Sequence, residues 1–400
     1  TASEGHRTNL KARLQKDLAL SDSPRDPPPA TDDSLAATVR LALVPGVGPT
    51  IRKSLLDCFG SAEAVLAASP GQLRQVPGVG PKLSRALVSA RDEIDAEAEL
   101  GICGDHGISI ISDADPEYPR LLREIHNPPA ILFVHGDIGS DDAMAIAIVG
   151  TRHPTDFGRI FTRKLAGEIA AAGIVIVSGM ARGIDSSAHL GALDETGKTV
   201  AVLGCGIDCI YPPENDGLYR QIVDNGALLS EYPPGSDPLP GHFPGRNRII
   251  SGLSLGTLVV EACCDSGSLI TAEFALEQGR EVMAVPGGVD HPTSYGPNLL
   301  IKQGAHPVTE AEEIIQILGL SGCHANRNAV DESDVIDLHE PAGRVLAALS
   351  LTPRHSDELT LESGLTPSEL SVILLHLELQ GYAEKLPGGR YVRGRRALQP

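Results

Sequence analysis

The sequence predicts an α/β protein: a doubly wound parallel sheet at the centre of the chain, flanked by two small helical modules. Three observations predict it. Between about 105 and 320, short apolar runs without polar–apolar alternation take turns with helical stretches. Ahead of them the motif Pro-Gly-Val-Gly-Pro occurs twice, starting at Pro45 and at Pro77, each time between apolar helical segments. Behind them, three helical pieces lead into a hairpin turned by Gly388 and Gly389.

Residues 1–33 carry scattered charges and a Pro-rich run with no sustained apolar period, and read as a disordered arm. In 34–104, Leu41 to Thr50 recurs as Leu73 to Lys82, so each copy is a helix, a glycine hairpin and a second helix. This resembles a tandem helix-hairpin-helix, whose hairpin amides can hold a nucleic-acid phosphate at a helix N-terminus. A SAM-like bundle in which the hairpins only connect helices is the alternative, because basic and acidic residues balance across 35–100.

The central domain, 105–320, has the apolar runs Ile131–Val134, Ala145–Val149, Ile174–Val177, Thr199–Leu203, Leu258–Val260 and Val282–Val285. Such runs suit parallel strands covered on both faces. The intervening stretches Asp156–Ala172, Asp185–Thr196 and Ser268–Gln278 each open on a capping residue and stop at a glycine. A Rossmann-like fold follows, and in such sheets ligands bind outside the carboxyl ends of the strands. The strand exits Gly150-Thr-Arg152, Ser178-Gly179 and Ser266-Gly267-Ser268 are small and glycine-rich, which makes a phosphate-accepting rim rather than an acid–base site. No Gly-x-Gly-x-x-Gly follows the first strand, and Gly197-Lys-Thr199 leads into a strand where a P-loop would leave one. Asp185 and His189 lack diagnostic spacing for an acid–base couple and read as a helix cap and a helix-face histidine.

Residues 321–340 form an acidic linker, and 341–400 follow the winged-helix order with a basic tail. The third helix there carries Glu369 and Glu378 but no Lys or Arg, which favours a protein contact over duplex DNA.

Net charge is −19, so a diffuse basic surface is excluded and any polyanion must meet a local patch. The best patch is Gly241 to Ser254, read as a helix leaving a Pro-rich loop. Ile249, Ile250 and Leu253 supply its buried stripe, and Arg246, Asn247 and Arg248 crowd its N-terminus behind Phe243. Guanidiniums at a helix N-terminus hold phosphate and an adjacent aromatic stacks on a base. The competing reading is a capped helix whose arginines pair with acidic neighbours. Arg152 and Lys302 are secondary cationic candidates. Seven cysteines without regular spacing fit a reduced, cytoplasmic protein. Neither a metal nor a cofactor is expected, no apolar run is long enough for a membrane, and nothing in the opening residues reads as a signal peptide.

The chain resembles the DNA-processing protein A family (DprA, also called Smf). The resemblance rests on Val149-Gly-Thr-Arg152, Ser178-Gly-Met-Ala-Arg-Gly-Ile-Asp-Ser-Ser-Ala-His189, Leu203-Gly-Cys-Gly-Ile-Asp208, Tyr211-Pro-Pro-Glu-Asn215, Ser230-Glu-Tyr-Pro-Pro-Gly235, His242 to Gly252, Glu261, Ser266 to Thr271 and Val285-Pro-Gly287. It implies a single-stranded DNA-binding protein of natural transformation that protects incoming strands and loads the recombinase RecA. It also implies a homodimer without catalytic activity, with single-stranded DNA-binding protein a further candidate partner. The implied DNA pocket is Gly150, Thr151, Arg152, Ser178, Gly179, Phe243, Arg246, Asn247, Arg248, Gly267 and Ser268. Members often have a basic residue where this chain has Gly245, which removes one charge from the patch. A distant resemblance to lysine-decarboxylase-like phosphoribohydrolases, through Pro286-Gly-Gly288, keeps an enzyme reading open, although Val289, Asp290 and His291 stand where those enzymes place a Gly-Thr and a catalytic Glu. For assembly, Leu299, Leu300 and Ile314 are the candidate dimer contacts, since the last helices carry more apolar surface than one face needs.

Overall fold

The structure, a computed structural model, describes residues 32–139, 144–320, 341–379 and 381–394. Of the arm expected over 1–33, residues 1–31 lie outside the described residues and Asp32 and Asp33 belong to the first helix; the acidic linker 321–340 and the tail residues 395–400 also lie outside the described residues. The chain divides into two compact units, residues 1–115 with 127–132 and residues 116–126 with 133–400.

The smaller unit holds helices α1 (Asp32–Ala42), α2 (Pro49–Phe59), α3 (Ala62–Ala67), α4 (Pro70–Leu73), α5 (Pro81–Glu93) and α6 (Ala96–Asp105), then strand β1 (Ile108–Ser112). Both repeats behave alike: α2 and α5 start on a proline, which suits a first turn, after an extended glycine, Gly48 or Gly80. The hairpin glycines Gly46 and Gly78 have φ of +92° and +86° and grip each other's repeat. A Cβ at Gly46 would lie 3.5 Å from Leu83, and one at Gly78 would lie 3.6 Å from Ile51. This reciprocal contact packs the two copies around a core of Leu41, Leu55, Val65, Leu73 and Leu87. Arg52 is spent locally, forked on Asp113 at 2.5 and 2.8 Å.

The larger unit is the α/β domain with the winged helix behind it. Its strands are β2 (Ile131–Gly136), β3 (Ala145–Val149), β4 (Val175–Ser178), β5 (Thr199–Val202), β6 (Gly226–Ser230), β7 (Gly256–Val259), β8 (Glu281–Ala284) and β9 (His306–Pro307). Across the sheet the order from β2 is β2-β6-β5-β4-β3-β7-β8-β9. Neighbours are parallel except β2, which runs antiparallel to β6 with Phe133 opposite Ser230. The winding runs outward from β3 through β4, β5 and β6, then resumes on the other side of β3 with β7. Every expected strand is present within a residue or two. Strand β6 was not expected: Ala227-Leu-Leu229 is short and has no β-branched residue, so its place is set by the neighbours β5 and β2.

The helices around the sheet are α7 (Arg120–Arg123), α8 (Asp156–Ala171), α9 (Ile184–Asp194), α10 (Asp216–Asn225), α11 (His242–Gly252), α12 (Gly267–Glu277), α13 (Tyr295–Lys302) and α14 (Ala311–Ile317). Phe161, Leu165 and Ile169 of α8, Ala188 and Ala192 of α9 and Ile314 of α14 bury against Ile146, Ile148, Ile176, Leu258 and Met283 of the sheet. Two dimer candidates are therefore core residues: Ile314 is fully buried and Leu300 is 7% exposed. The apolar excess of the last helices is absorbed by the sheet, because Ile315, Ile317 and Leu318 also pack on this core. Leu299 keeps partial exposure.

The caps lie ahead of the residues expected to supply them: Thr155 rather than Asp156 caps α8 by accepting from the Gly158 N–H, and Ser266 rather than Ser268 caps α12 by accepting from the Ser268 N–H. Asp185 does not cap α9, correcting that expectation. The helix starts one residue earlier behind Gly183, and the carboxylate turns back to the preceding loop, accepting from the N–H of Gly179 at 3.2 Å and of Ala181 at 3.4 Å.

The winged helix is α15 (Pro341–Ala348), β10 (Arg354–His355), α16 (Ser356–Ser363), α17 (Pro367–Leu379), β11 (Ala383–Leu386) and β12 (Arg390–Arg393), with sheet order β10-β12-β11. Val345, Leu359, Leu370, Leu374 and Leu377 form its core. Among the described residues no helix is long and apolar enough to cross a membrane.

Candidate nucleic-acid interface

Helix α11 is set down on the carboxyl ends of β5 and β6 by its own first turn. His242 stacks on Tyr232 with centroids 4.0 Å apart and meets the Gly204 carbonyl at 3.2 Å. The helix begins at His242, not at the arginines, so Arg246 lies a full turn inside it. Its side chain is 4% exposed and runs back under the helix, where Nη1 donates to the Gly179 carbonyl at 2.9 Å and to the Val202 carbonyl. The glycines at these strand exits serve the protein's own side chains. A Cβ on Gly179 would stand 2.7 Å from the Arg246 guanidinium, and one on Gly204 would stand 2.9 Å from the Phe243 ring.

Above Arg246 lies Phe243, whose ring has Arg246 5.9 Å from its centroid and Arg152 5.8 Å from it. The Tyr211 ring lies 5.6 Å away, tilted by 41°. Together with Gly179, Ala181, Arg182 and Pro212 these residues line one small pocket. Two cations held near an aromatic face, with a second aromatic beside it, suit a ligand that has both a flat ring and a negative charge.

The charges beneath the pocket are buried together. Burial pulls the Arg246 pKa down, and the Asp185 carboxylate opposes the fall. Burial pushes Asp185 up to about 6, held from rising further by Arg246 and by the Ala181 and Gly179 N–H groups. Burial, then the Arg246 charge, pulls His189 down to about 3. His189 is no partner for Asp185: its Nδ1 lies 2.7 Å from Thr199 Oγ1, and Thr199 in turn donates to the Ile176 carbonyl.

Of the residues expected from the sequence, Arg152, Gly179, Phe243 and Arg246 converge on the pocket, with Gly150 and Thr151 leading into Arg152 at the β3 exit. Asn247 instead ties helices together, accepting from Arg246 Nε at 3.2 Å and donating to the Gly267 carbonyl at 3.1 Å. Arg248 forks onto Glu231 at 2.8 and 2.7 Å, the acidic pairing that the sequence left as the competing reading. Ser178 is buried and donates to the Ile148 carbonyl at 2.7 Å, and Ser268 is buried against Ser266 at 2.7 Å between hydroxyls. Gly267 is exposed at the start of α12, and Lys302 is exposed at the end of α13. Sequence reasoning did not select Ala181, Arg182, Tyr211 and Pro212. Arg182 leaves the same strand exit as Gly179, and that was the available signal; it is half-exposed and ion-paired with Glu214. Glu261, at the switch point between β3 and β7, is occupied by Thr155, whose N–H and hydroxyl donate to it at 2.9 and 2.6 Å.

Comparison with known proteins follows the same division of the chain. Residues 109–319, more than half of the chain, match the family model for DNA recombination-mediator protein A. Residues 332–389 match the DprA winged helix domain and 39–93 the SAM-like helix-hairpin-helix tandem. Protein Smf of Synechocystis sp. is 35% identical over 385 residues, covering 88% of this chain and 96% of its own. DNA processing protein DprA of Bacillus subtilis is 46% identical over 215 residues, 54% of this chain and 72% of that protein. The X-ray structure of DprA from Streptococcus pneumoniae superimposes with a TM-score of 0.61 at 33% identity, covering 72% of this chain and 98% of that one. The flanking modules, the sheet and this breadth of identity together show that the chain belongs to the DNA recombination-mediator protein A (DprA/Smf) family.

Proposed function

We propose that the chain binds single-stranded DNA in the pocket around Phe243 and acts as a recombination mediator, shielding incoming strands and loading RecA onto them as a cytoplasmic homodimer. The observation that carries this reading is the ring of Phe243 held near Arg152 and Arg246 with Tyr211 alongside. An unstacked base offers a flat face to the aromatics and its phosphate offers charge to the arginines, whereas duplex DNA hides the first of these. A non-catalytic role is supported by the state of the nearby carboxylates. Asp185 is buried on backbone N–H groups, Glu214 is paired with Arg182, and Glu261 is taken by Thr155.

The division of labour among the arginines is testable by salt titration. Arg152→Ala removes an exposed cation that holds no fold element, so it should weaken oligonucleotide binding. The salt slope should fall by about 0.7 for each single-strand phosphate that is no longer neutralised. Arg248→Ala should leave that slope nearly unchanged, because its guanidinium is committed to Glu231. Equal slopes for the parent and Arg152→Ala would remove Arg152 from the interface.

For the homodimer, Leu299 is the candidate contact that retains surface, as Leu300 and Ile314 are core. Leu299→Arg should sediment as a monomer at concentrations where the parent is a dimer. A dimeric Leu299→Arg would place the interface elsewhere.

A further inference from the structure

The pocket stands on a loop that does not hold its shape by itself. Between β4 and α9 the chain passes through Met180, a fully buried residue with φ of +53°, a left-handed conformation that bulky side chains avoid. Side chains from three directions fasten it there. Asp185 accepts from the N–H groups on either side of Met180, those of Gly179 and Ala181. Arg246, from α11, takes the Gly179 carbonyl at 2.9 Å. Asn215, just ahead of α10, donates from Nδ2 to the Met180 carbonyl at 2.9 Å and to Ser186 Oγ at 3.0 Å. Gly179 and Ala181, so fastened, line the pocket with the adjoining Arg182 and with Arg246.

We infer that Asp185 is a positioning residue of the interface: it touches no ligand, and its buried carboxylate holds the Gly179–Ala181 turn, and through the Gly179 carbonyl the Arg246 guanidinium, in the arrangement that receives a single strand. The inference rests on the single-strand reading above for its ligand, but not for its geometry.

The charge state supports the same role. An ionised carboxylate this deep opposes folding, since its pKa of about 6 lies above the ordinary value of 3.8. The folded chain therefore binds the proton more tightly than the unfolded chain. Stability falls as pH rises from about 4 to about 6, and at neutral pH the fold carries the charge at a loss. The charged group that bears on it is Arg246 from α11, which in turn bears on Cys205 at the β5 exit and on His189 of α9. Burial drives Cys205 to about 12 and His189 to about 3, and Arg246 stays cationic, so Asp185 is the member of the cluster that changes charge near pH 6.

The test compares the full-length parent with Asp185→Asn, using a fluorescent oligothymidylate as probe. At pH 7.5 the variant should melt at or above the parent temperature yet bind at least tenfold more weakly. That advantage of the parent should shrink as pH is lowered from 7.5 to 5, where its own carboxylate becomes neutral. Without DNA, amide exchange across 178–183 should be faster in the variant. Asn215→Ala, which loosens the same turn from the other side, should also weaken binding severalfold. The inference is overturned by parental affinity in Asp185→Asn, by an advantage that ignores pH, or by a variant that melts far below the parent and loses binding with its fold. A parent that fails to bind the probe while the exchange difference persists would instead reject the single-strand reading.

Discussion

Arg246→Ala is expected to destabilise the fold by about 3–5 kcal/mol, the largest effect of any single substitution at the interface. The guanidinium donates to the carbonyls of Gly179 and Val202, and hydrogen bonds from a charged donor are each worth about 1.5–3 kcal/mol. Its removal also takes away the nearby positive charge that favours the ionised form of the buried Asp185 carboxylate. Urea unfolding followed by far-UV dichroism measures the loss. The sign of its pH dependence is specific: without Arg246, the Asp185 pKa rises further, so lowering the pH neutralises the buried charge and the deficit relative to the parent shrinks. Arg246→Lys should recover only part of the stability, because an ammonium is more strongly hydrated than the guanidinium, whose Nη1 serves both carbonyls, and costs more to bury. An Arg246→Ala chain that unfolds with the parent midpoint would mean that the buried cluster contributes nothing to the fold.

Phe243→Ala is the second large effect, and it should appear in binding rather than in folding. The ring is half-buried, and the Gly204 backbone beneath it leaves no side chain to fill the gap once it is gone. Loss of one aromatic platform costs about 1–3 kcal/mol of single-strand affinity, roughly fivefold to 150-fold. Because every cation that meets a phosphate stays in place, the salt slope should remain nearly constant, the reverse of Arg152→Ala. Phe243→Tyr or Phe243→Trp should restore most of the affinity, since stacking tolerates any flat ring. A Phe243→Ala chain with parental affinity at every salt concentration would remove the stacking platform from the proposed site.

Much of the architecture was legible because it is written in local pattern. Period and cap signals place a helix or strand within a residue or two, and they did so for α8, α12 and the β-branched strands. The repeated glycine hairpin and the winged-helix order are likewise local. Rossmann geometry then requires that strand exits converge, so Arg152 and Gly179 could be placed on one rim from the sequence, and the family resemblance added Phe243 to them.

What the sequence could not decide is which charge does which job. Arg246 and Arg248 are two residues apart on one helix and look equivalent as a string. In the folded chain one is buried across two strand ends, while the other pairs with Glu231, 17 residues upstream. The helical rotation between them, about 200°, is local, but what each side then meets depends on which strands are neighbours. The same holds for Asp185, whose position suggested a helix cap and whose carboxylate serves the preceding loop. It holds too for β6, a weak strand made by its neighbours, and for Leu300 and Ile314, whose apolar surface suggested a partner and is covered by the sheet. The sequence by itself determined the order of modules, most of the elements and the strand exits that form the proposed rim. Only the tertiary structure decided which side chains line that rim and which hold the fold, because burial and ion pairing arise between segments that the chain brings together only on folding.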